Sequence, residues 1–193
     1  MKLYLVRHGE SCANRDRHVS TPDVPLSEQG IKDAKSAGRL LSEIKFDRVL
    51  VSPYLRARQT QKYAMPSVDG EIVDDIHECI CGSLEGRPWE VIHKEYPDLA
   101  DNTRIDNYSP YGGECYEDIR KRVRSFMDYV ISLDVEQIAA FSHAGFIQTF
   151  FDEVMGREGK PGRNILCKNG SISVFEYRNG KWYVDAWNVT ENF

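Results

Sequence analysis

No apolar run in this chain approaches the ~20 residues needed to span a bilayer. The stretch between Lys2 and Arg7 is too short for the core of a secretory signal. A cytoplasmic location with no membrane contact is therefore expected. A basic excess is missing too: 25 Lys and Arg stand against 30 Asp and Glu, a net charge of −5. Nucleic-acid binding calls for a basic face, so nucleic acid is not expected as a partner. The five cysteines, Cys12, Cys79, Cys81, Cys115 and Cys167, are odd in number and scattered. Without an export signal they read as reduced thiols rather than a disulfide framework. Cys79-Ile80-Cys81 has no second pair to complete a zinc site, and neither a metal nor another cofactor is expected. Repeats and linker-like stretches are absent, so residues 1–193 are expected to form a single domain, long enough for a core without staples.

What is present is an alternation of strand-like and helix-like stretches. Met1 to Val6 reads as a short buried strand that runs into Arg7-His8-Gly9. Ser27 has the character of an N-cap, followed by Ile31, Ala34, Gly38, Leu41 and Ile44 at helical spacing. Phe46 to Val51 predicts a second strand ending at Ser52-Pro53, and Tyr54 to Ala64 a helix, since Pro53 suits a first turn. Glu71-Ile72-Val73 is a third apolar stretch. Residues 87–113 show little periodicity and predict a cap-like excursion with at most a short helix.

From Tyr116 to Leu133, the positions Ile119, Val123, Phe126, Val130 and Leu133 mark an amphipathic helix, with Arg120, Lys121, Arg122 and Arg124 read as its solvated face. Glu136 to Phe141 predicts a strand ending in Ser142-His143-Ala144-Gly145, with a helix following to Met155. Ser171 to Tyr177 and Lys181 to Trp187 flank Asn179-Gly180, the dipeptide favoured in two-residue hairpins. The fold expected is α/β: a three-layer sandwich whose mostly parallel central sheet has helices on both faces.

Three predicted strand ends carry similar equipment. The first brings Arg7, His8 and Gly9; the second brings Ser52, with Arg56 and Arg58 one turn on; the last brings Ser142, His143 and Gly145. Open α/β sheets bind ligands at such ends, and helix N-termini, with roughly half a positive charge, favour anions. An arginine adds a planar fork matched to phosphate oxygens. Taken singly, each histidine is more simply a satisfied core residue and each arginine a surface solubiliser. Together, in a chain of negative net charge, they point to a local phosphate pocket. No carboxylate cluster stands at the strand ends to hold a metal, so the arginines and second histidine are left to neutralise the charge. A neutral imidazole attacks phosphorus and divides the reaction into two easier steps. The leaving alkoxide needs a proton, for which Glu78 is the best-placed candidate and Glu85 the second. His77 and His93 have no motif around them and are expected at the surface.

At this point the chain resembles the histidine phosphatase superfamily, or phosphoglycerate mutase-like family. The resemblance is carried by Arg7-His8-Gly9-Glu10-Ser11 with Asn14, by Asp23 to Gly30, and by Ser52 to Thr60. It continues through Ile76-His77-Glu78, Gly82, Glu85-Gly86, Gly112-Gly113-Glu114 and Ser142 to Ile147, covering nearly the whole chain. It implies that His8 is the nucleophile that becomes phosphorylated. Arg7, Arg56 and His143 would form the phosphate pocket, with Asn14 as a further donor and Glu78 as proton donor. The residues alone leave Arg56 and Arg58 both open; the resemblance assigns Arg56 to the pocket and Arg58 to the surface. Departures are Ala13 where many members have tryptophan, Val19-Ser20 where Gln-Gly is frequent, and Ala144 where glycine is frequent.

The family includes mutases as well as phosphatases, and the mutases are longer, with an insertion that holds a doubly anionic substrate. Here the excursion carries Arg87, Lys94 and Arg104 against Glu90, Glu95, Asp98, Asp101 and Asp106. A net-acidic cap repels a second anionic group. The expected activity is thus that of a phosphatase acting on small phosphorylated metabolites, with phosphoglycerate mutase-type transfer as the alternative. A catalytically silent phosphate sensor and a hydrolase using His8, His143 and Glu78 as metal ligands rank below it. Trp89, Tyr96, Tyr108 and Tyr111 would either line the cap or pack beneath it as a satellite core. Within the family, phosphatases of the phosphorylated nucleoside of the cobalamin pathway are one option that the sequence gives no reason to prefer. The sequence leaves the oligomeric state open. Cys12 lies in the nucleophile loop, where oxidation would inactivate.

Overall fold

The central strands are buried on both faces, and this decides how the layers stack. The structure is a computed structural model that describes residues 1–100, 107–157 and 165–191. Its strands are β1 (Lys2–Arg7), β2 (Arg48–Val51), β3 (Glu71–Ile72), β4 (Gln137–Ser142), β5 (Ile172–Arg178) and β6 (Lys181–Val189). They form one sheet in the order β3-β2-β4-β1-β5-β6. The pairs β3-β2, β2-β4 and β4-β1 are parallel, while β1-β5 and β5-β6 are antiparallel. In β4, Ile138 and Ala140 face one core and Ala139 and Phe141 the other. A strand buried on both faces loses polar alternation and reads as a continuous apolar run.

Helices α2 (Glu28–Leu41) and α3 (Leu55–Ala64) cover the face of Ala139 and Phe141, through Ala37, Leu41 and Ala57. The other face is covered by α6 (Tyr116–Ser132) and α7 (Ala144–Val154), through Ile119, Val123, Phe126, Val130, Phe146 and Phe150. These are the three expected layers. Among the described residues, no helix is long and apolar enough to cross a membrane. All five cysteines are unbridged.

Local chemistry sets the element ends. Ser27 caps α2, its hydroxyl accepting from Gly30 N at 3.1 Å. The helix stops at Leu41 rather than reaching Ile44, which packs on the core from the loop beyond. Asn179 and Gly180 take φ of 51° and 73°, the paired positive values of a type I′ hairpin turn.

The excursion is more ordered than expected. It contains α4 (Trp89–Glu95) and α5 (Pro97–Ala100) and a 3₁₀ turn over Ser109–Tyr111, not at most one short helix. Weak periodicity concealed them because, among the described residues, only Ile92 and Tyr108 are buried there, with Val19, Cys81 and Leu84 completing a small third core. Trp89, Tyr96 and Tyr111 pack against that core, with the Tyr96 and Tyr111 rings 5.0 Å apart. The aromatic residues thus form the satellite core. Asp101, Arg104 and Asp106 lie outside the described residues, as does the side chain of Asp98.

The basic face of α6 is solvated only at Lys121 and Arg124. Arg120 and Arg122 are only 15% and 14% exposed and pair with Glu153 and Glu114. Arg124 also pairs with Glu153, at 2.8 Å. The partners lie 33, 8 and 29 residues away, so a reading along the helix misses them.

The start of α2 packs tightly on the nucleophile loop. A Cβ on Gly30 would lie 2.0 Å from Glu10 O and within 2.9 Å of Glu10 N. Gly30→Ala is therefore expected to destabilise by roughly 3 kcal/mol, lowering the thermal midpoint by about 6–12 °C. Thermal unfolding followed by circular dichroism measures this.

Candidate active site

Strand order brings the three equipped ends to one edge. In register, Arg7 lies opposite Ser142 and Val51 opposite Phe141. His8 N donates to Ser142 O and Ser52 N to Phe141 O, each at 3.0 Å, which extends the alignment one residue past the sheet. The His8 and His143 rings lie 5.1 Å apart, centroid to centroid. His8, Arg56 and His143 are 2%, 1% and 0% exposed, unusual burial for three such side chains.

The His8 ring is fixed at both nitrogens. Nδ1 lies 2.6 Å from Gly9 O, an atom that only accepts, so Nδ1 carries the proton. Nε2 lies 3.3 Å from Arg56 Nε, a group that only donates, so Nε2 offers its lone pair. Arg56 also donates from Nη1 to Thr21 O at 2.9 Å, and its guanidinium lies 5.1 Å over the Tyr54 ring.

His143 precedes α7 and meets Ser52 Oγ through Nε2 at 2.8 Å. Ser52 Oγ accepts from Tyr54 N at 3.3 Å and can give its own proton to Nε2. The ring proton then sits on Nδ1. Among the described residues, His143 Nδ1 and Arg7 Nε are buried without a hydrogen-bond partner. Two buried polar atoms left unpaired at one strand edge are costly; the oxygens of a bound anion are suited to satisfy them. Arg7 is anchored from its other side, with Nη1 donating to Cys167 O.

Burial, then the Arg56 and Arg7 guanidiniums, holds the His8 imidazole well below its ordinary pKa, while the Gly9 carbonyl opposes this. Burial and then Arg56 depress His143 in the same way. Both rings are therefore neutral near pH 7. Because their folded values lie below the unfolded value of about 6.5, acid protonates the unfolded chain first. The stability they contribute is full above ~6.5 and is lost as pH falls from there through the folded values. In phosphate-free buffer, the thermal midpoint is expected to drop on acidification through this window. The drop should be shallower in His143→Gln.

Glu78 stands at the start of α7. Its Oε1 accepts from Cys79 N at 3.0 Å and from Gly145 N at 3.1 Å. A Cβ on residue 145 would lie 2.4 Å from Glu78 Oε1, so glycine there lets the carboxylate approach the helix end. Glu78 is also the largest charge opposing the burial-driven lowering of the Arg56 pKa, which places it within electrostatic reach of that guanidinium. Glu85 instead accepts from Cys81 N at 3.1 Å and braces its own loop.

A sequence profile of the histidine phosphatase superfamily (branch 1) matches residues 3–190. The chain belongs to this superfamily. It is 32% identical over 199 residues to the adenosylcobalamin/alpha-ribazole phosphatase of Salmonella typhimurium, covering 100% of this chain and 93% of that one. It is 35% identical over 146 residues to the fructose-2,6-bisphosphatase TIGAR of Xenopus tropicalis, covering 72% of this chain but only 52% of that protein. The chain thus spans about half the length of the TIGAR relatives it matches. Phosphoglycerate mutase-like proteins are also among its relatives. In fold it matches the alpha-ribazole phosphatase of Shigella flexneri with a TM-score of 0.85 at 24% identity, over 98% of this chain and 96% of the other.

Within this superfamily fold, the remaining predicted residues divide. Arg58 is exposed, as expected. His77 is only partly at the surface: it is half-buried and stacked on Tyr54, with ring centroids 5.7 Å apart and planes 23° apart. His93 is half-buried against Trp89. Tyr54 lies close to charge. Burial, then Glu85, Glu78 and Glu114 against the opposing pull of Arg56, push its hydroxyl up to about 12.

Asn14 closes the capping box of α1 (Cys12–Asp16), its Oδ1 accepting from Ser11 N at 3.1 Å. Sequence reasoning missed Asn169 and Thr60 and placed Ser52 at the site without a role. Asn169 donates to both His8 O at 3.1 Å and Asn14 Oδ1 at 3.3 Å. Thr60 accepts from Gly9 N at 3.1 Å and donates to Arg56 O at 2.7 Å. Ser52 orients His143 as above. Asn169 lies in a loop 161 residues from His8, with nothing local to mark it. Thr60 carried a signal, falling one turn after Arg56 on the same helix.

Proposed function

We propose that the protein is a metal-independent phosphatase, hydrolysing small-molecule phosphate monoesters through a covalent phosphohistidine on His8. The observation that carries this is the fixed tautomer of His8, with Nδ1–H on Gly9 O and the Nε2 lone pair beside Arg56. In the first step Nε2 attacks phosphorus and the P–O ester bond breaks. The electron pair passes to the leaving oxygen, which takes a proton from protonated Glu78. The phosphorylated ring is cationic, and the Gly9 carbonyl at Nδ1 stabilises it. Arg7, Arg56 and His143 hold the phosphoryl oxygens, with Asn14 as a further donor. In the second step water attacks phosphorus and gives its proton to the Glu78 carboxylate. The N–P bond breaks, its pair returns to Nε2, and inorganic phosphate leaves.

The excursion over residues 87–113 carries three basic residues against five acidic ones. A net-acidic cap disfavours a second anionic group on the substrate, which favours hydrolysis of monophosphates over mutase transfer. The leaving group is then a neutral or modestly polar alcohol, aromatic or sugar-like. Similarity across 100% of this chain to the alpha-ribazole phosphatase makes a phosphorylated nucleoside a specific candidate. Residues 1–193 work as one unit, with the 87–113 excursion as its cap.

The test is phosphate release in chelator across aryl, sugar, nucleoside and bisphosphorylated substrates with 3-phosphoglycerate. Chelator-resistant release that ranks neutral-alcohol monophosphates first is expected. Loss of release in chelator overturns the metal-independent reading. A wide preference for bisphosphates or phosphoglycerates overturns the substrate class.

A further inference from the structure

The loop carrying Glu78 belongs to no helix or strand between His77 and Cys81, yet a proton donor must be placed to within a fraction of an ångström. Gly145 N reaches the carboxylate from α7, but the backbone that carries it needs a hold of its own. That hold is an ion pair between α6 and the segment just before it. Arg122 Nε donates to Glu114 Oε1 at 2.7 Å, and Nη2 to Oε2 at 2.9 Å, a bidentate pair. Arg122 Nη1 reaches further, donating to Asp75 O at 2.6 Å and His77 O at 3.2 Å. Glu114 Oε2 accepts from Ile80 N at 2.9 Å, and Glu114 N donates to Ile80 O at 2.9 Å. The backbone is therefore gripped on both sides of Glu78.

This pair is 14% and 13% exposed. Removing two charges from water costs about as much as their attraction returns, and apolar replacements of similar volume are often neutral for stability. Folding alone gives little reason for a buried pair whose spare donors and acceptors go to the backbone on either side of Glu78. We propose that Arg122 and Glu114 are positioning residues that set where Glu78 presents its proton. The inference rests on the proposed role of Glu78 and extends it to residues that do not touch the substrate.

Leaving-group dependence separates positioning from mere folding. A nitrophenolate departs without protonation, whereas an alkoxide needs the proton of Glu78 as the P–O bond breaks. The ratio kcat/KM reports steps through phosphohistidine formation and is blind to its hydrolysis. In the double variant Arg122→Met with Glu114→Leu, kcat/KM for an alkyl phosphate is expected to fall on the order of 10²-fold. For p-nitrophenyl phosphate it should stay within about threefold, the same pattern as Glu78→Gln. Arg122→Lys keeps the charge but loses the planar fork; it should show the same selectivity at smaller size, and it carries the comparison if the double variant does not fold. Equal losses on both substrates, or no loss on either, would overturn the inference. If the unaltered protein forms no phosphohistidine, the proposed function fails first; if it does and the ratio of losses is flat, only the positioning role fails.

Discussion

His8→Ala is expected to reduce turnover on the order of 10⁴-fold or more. The substitution removes Nε2, the one atom whose lone pair is held toward Arg56 by the Nδ1 contact to Gly9 O. It leaves Arg7, Arg56 and His143 in place, so binding of inorganic phosphate or vanadate should change far less than turnover. Measuring both on one preparation separates loss of the nucleophile from collapse of the pocket. If the variant retains more than about a hundredth of the activity, water attacks the ester directly and covalent catalysis is ruled out. Loss of anion binding in parallel with turnover would mean instead that the ring is structural.

Arg56→Ala should lower kcat/KM on the order of 10³-fold, the scale of removing a fixed cation from developing phosphoryl charge. The guanidinium is 1% exposed and already serves His8 Nε2 and Thr21 O. After burial, its charge is the main cause that depresses both histidines. Without it their pKa values rise, so the acid limb of the pH–rate profile should move to higher pH. Arg56→Lys keeps a positive charge but loses the planar fork. It should leave the acid limb nearly in place while still lowering kcat/KM. A variant within tenfold of the unaltered enzyme, with an unmoved acid limb, would remove Arg56 from the pocket.

The elements that build the pocket were legible because each carries its signal within a few adjacent residues. Arg7-His8, Ser52 and Ser142-His143 follow apolar runs directly, and the sheet order β2-β4-β1 joins those runs as parallel neighbours. The Asn179-Gly180 hairpin and the buried stripe of α6 are equally local. What stayed hidden depends on distant partners. Arg122 reads as solvated until Glu114 and the Asp75 and His77 carbonyls are brought to it. His77 reads as exposed until Tyr54 stacks on it. Asn169 has no motif, and its role exists only because its loop crosses the nucleophile's backbone. The short helix α4 buries only Ile92, too little to show a period.

The central claim is a phosphorylated His8. It is tested most directly by rapid acid-free quenching of the enzyme with a radiolabelled phosphomonoester in chelator, followed by peptide mapping. The account predicts a label that is stable to alkali, labile to acid, confined to the peptide carrying His8, and chased to inorganic phosphate by unlabelled substrate. Turnover with no label, or label on a peptide lacking His8, would contradict it.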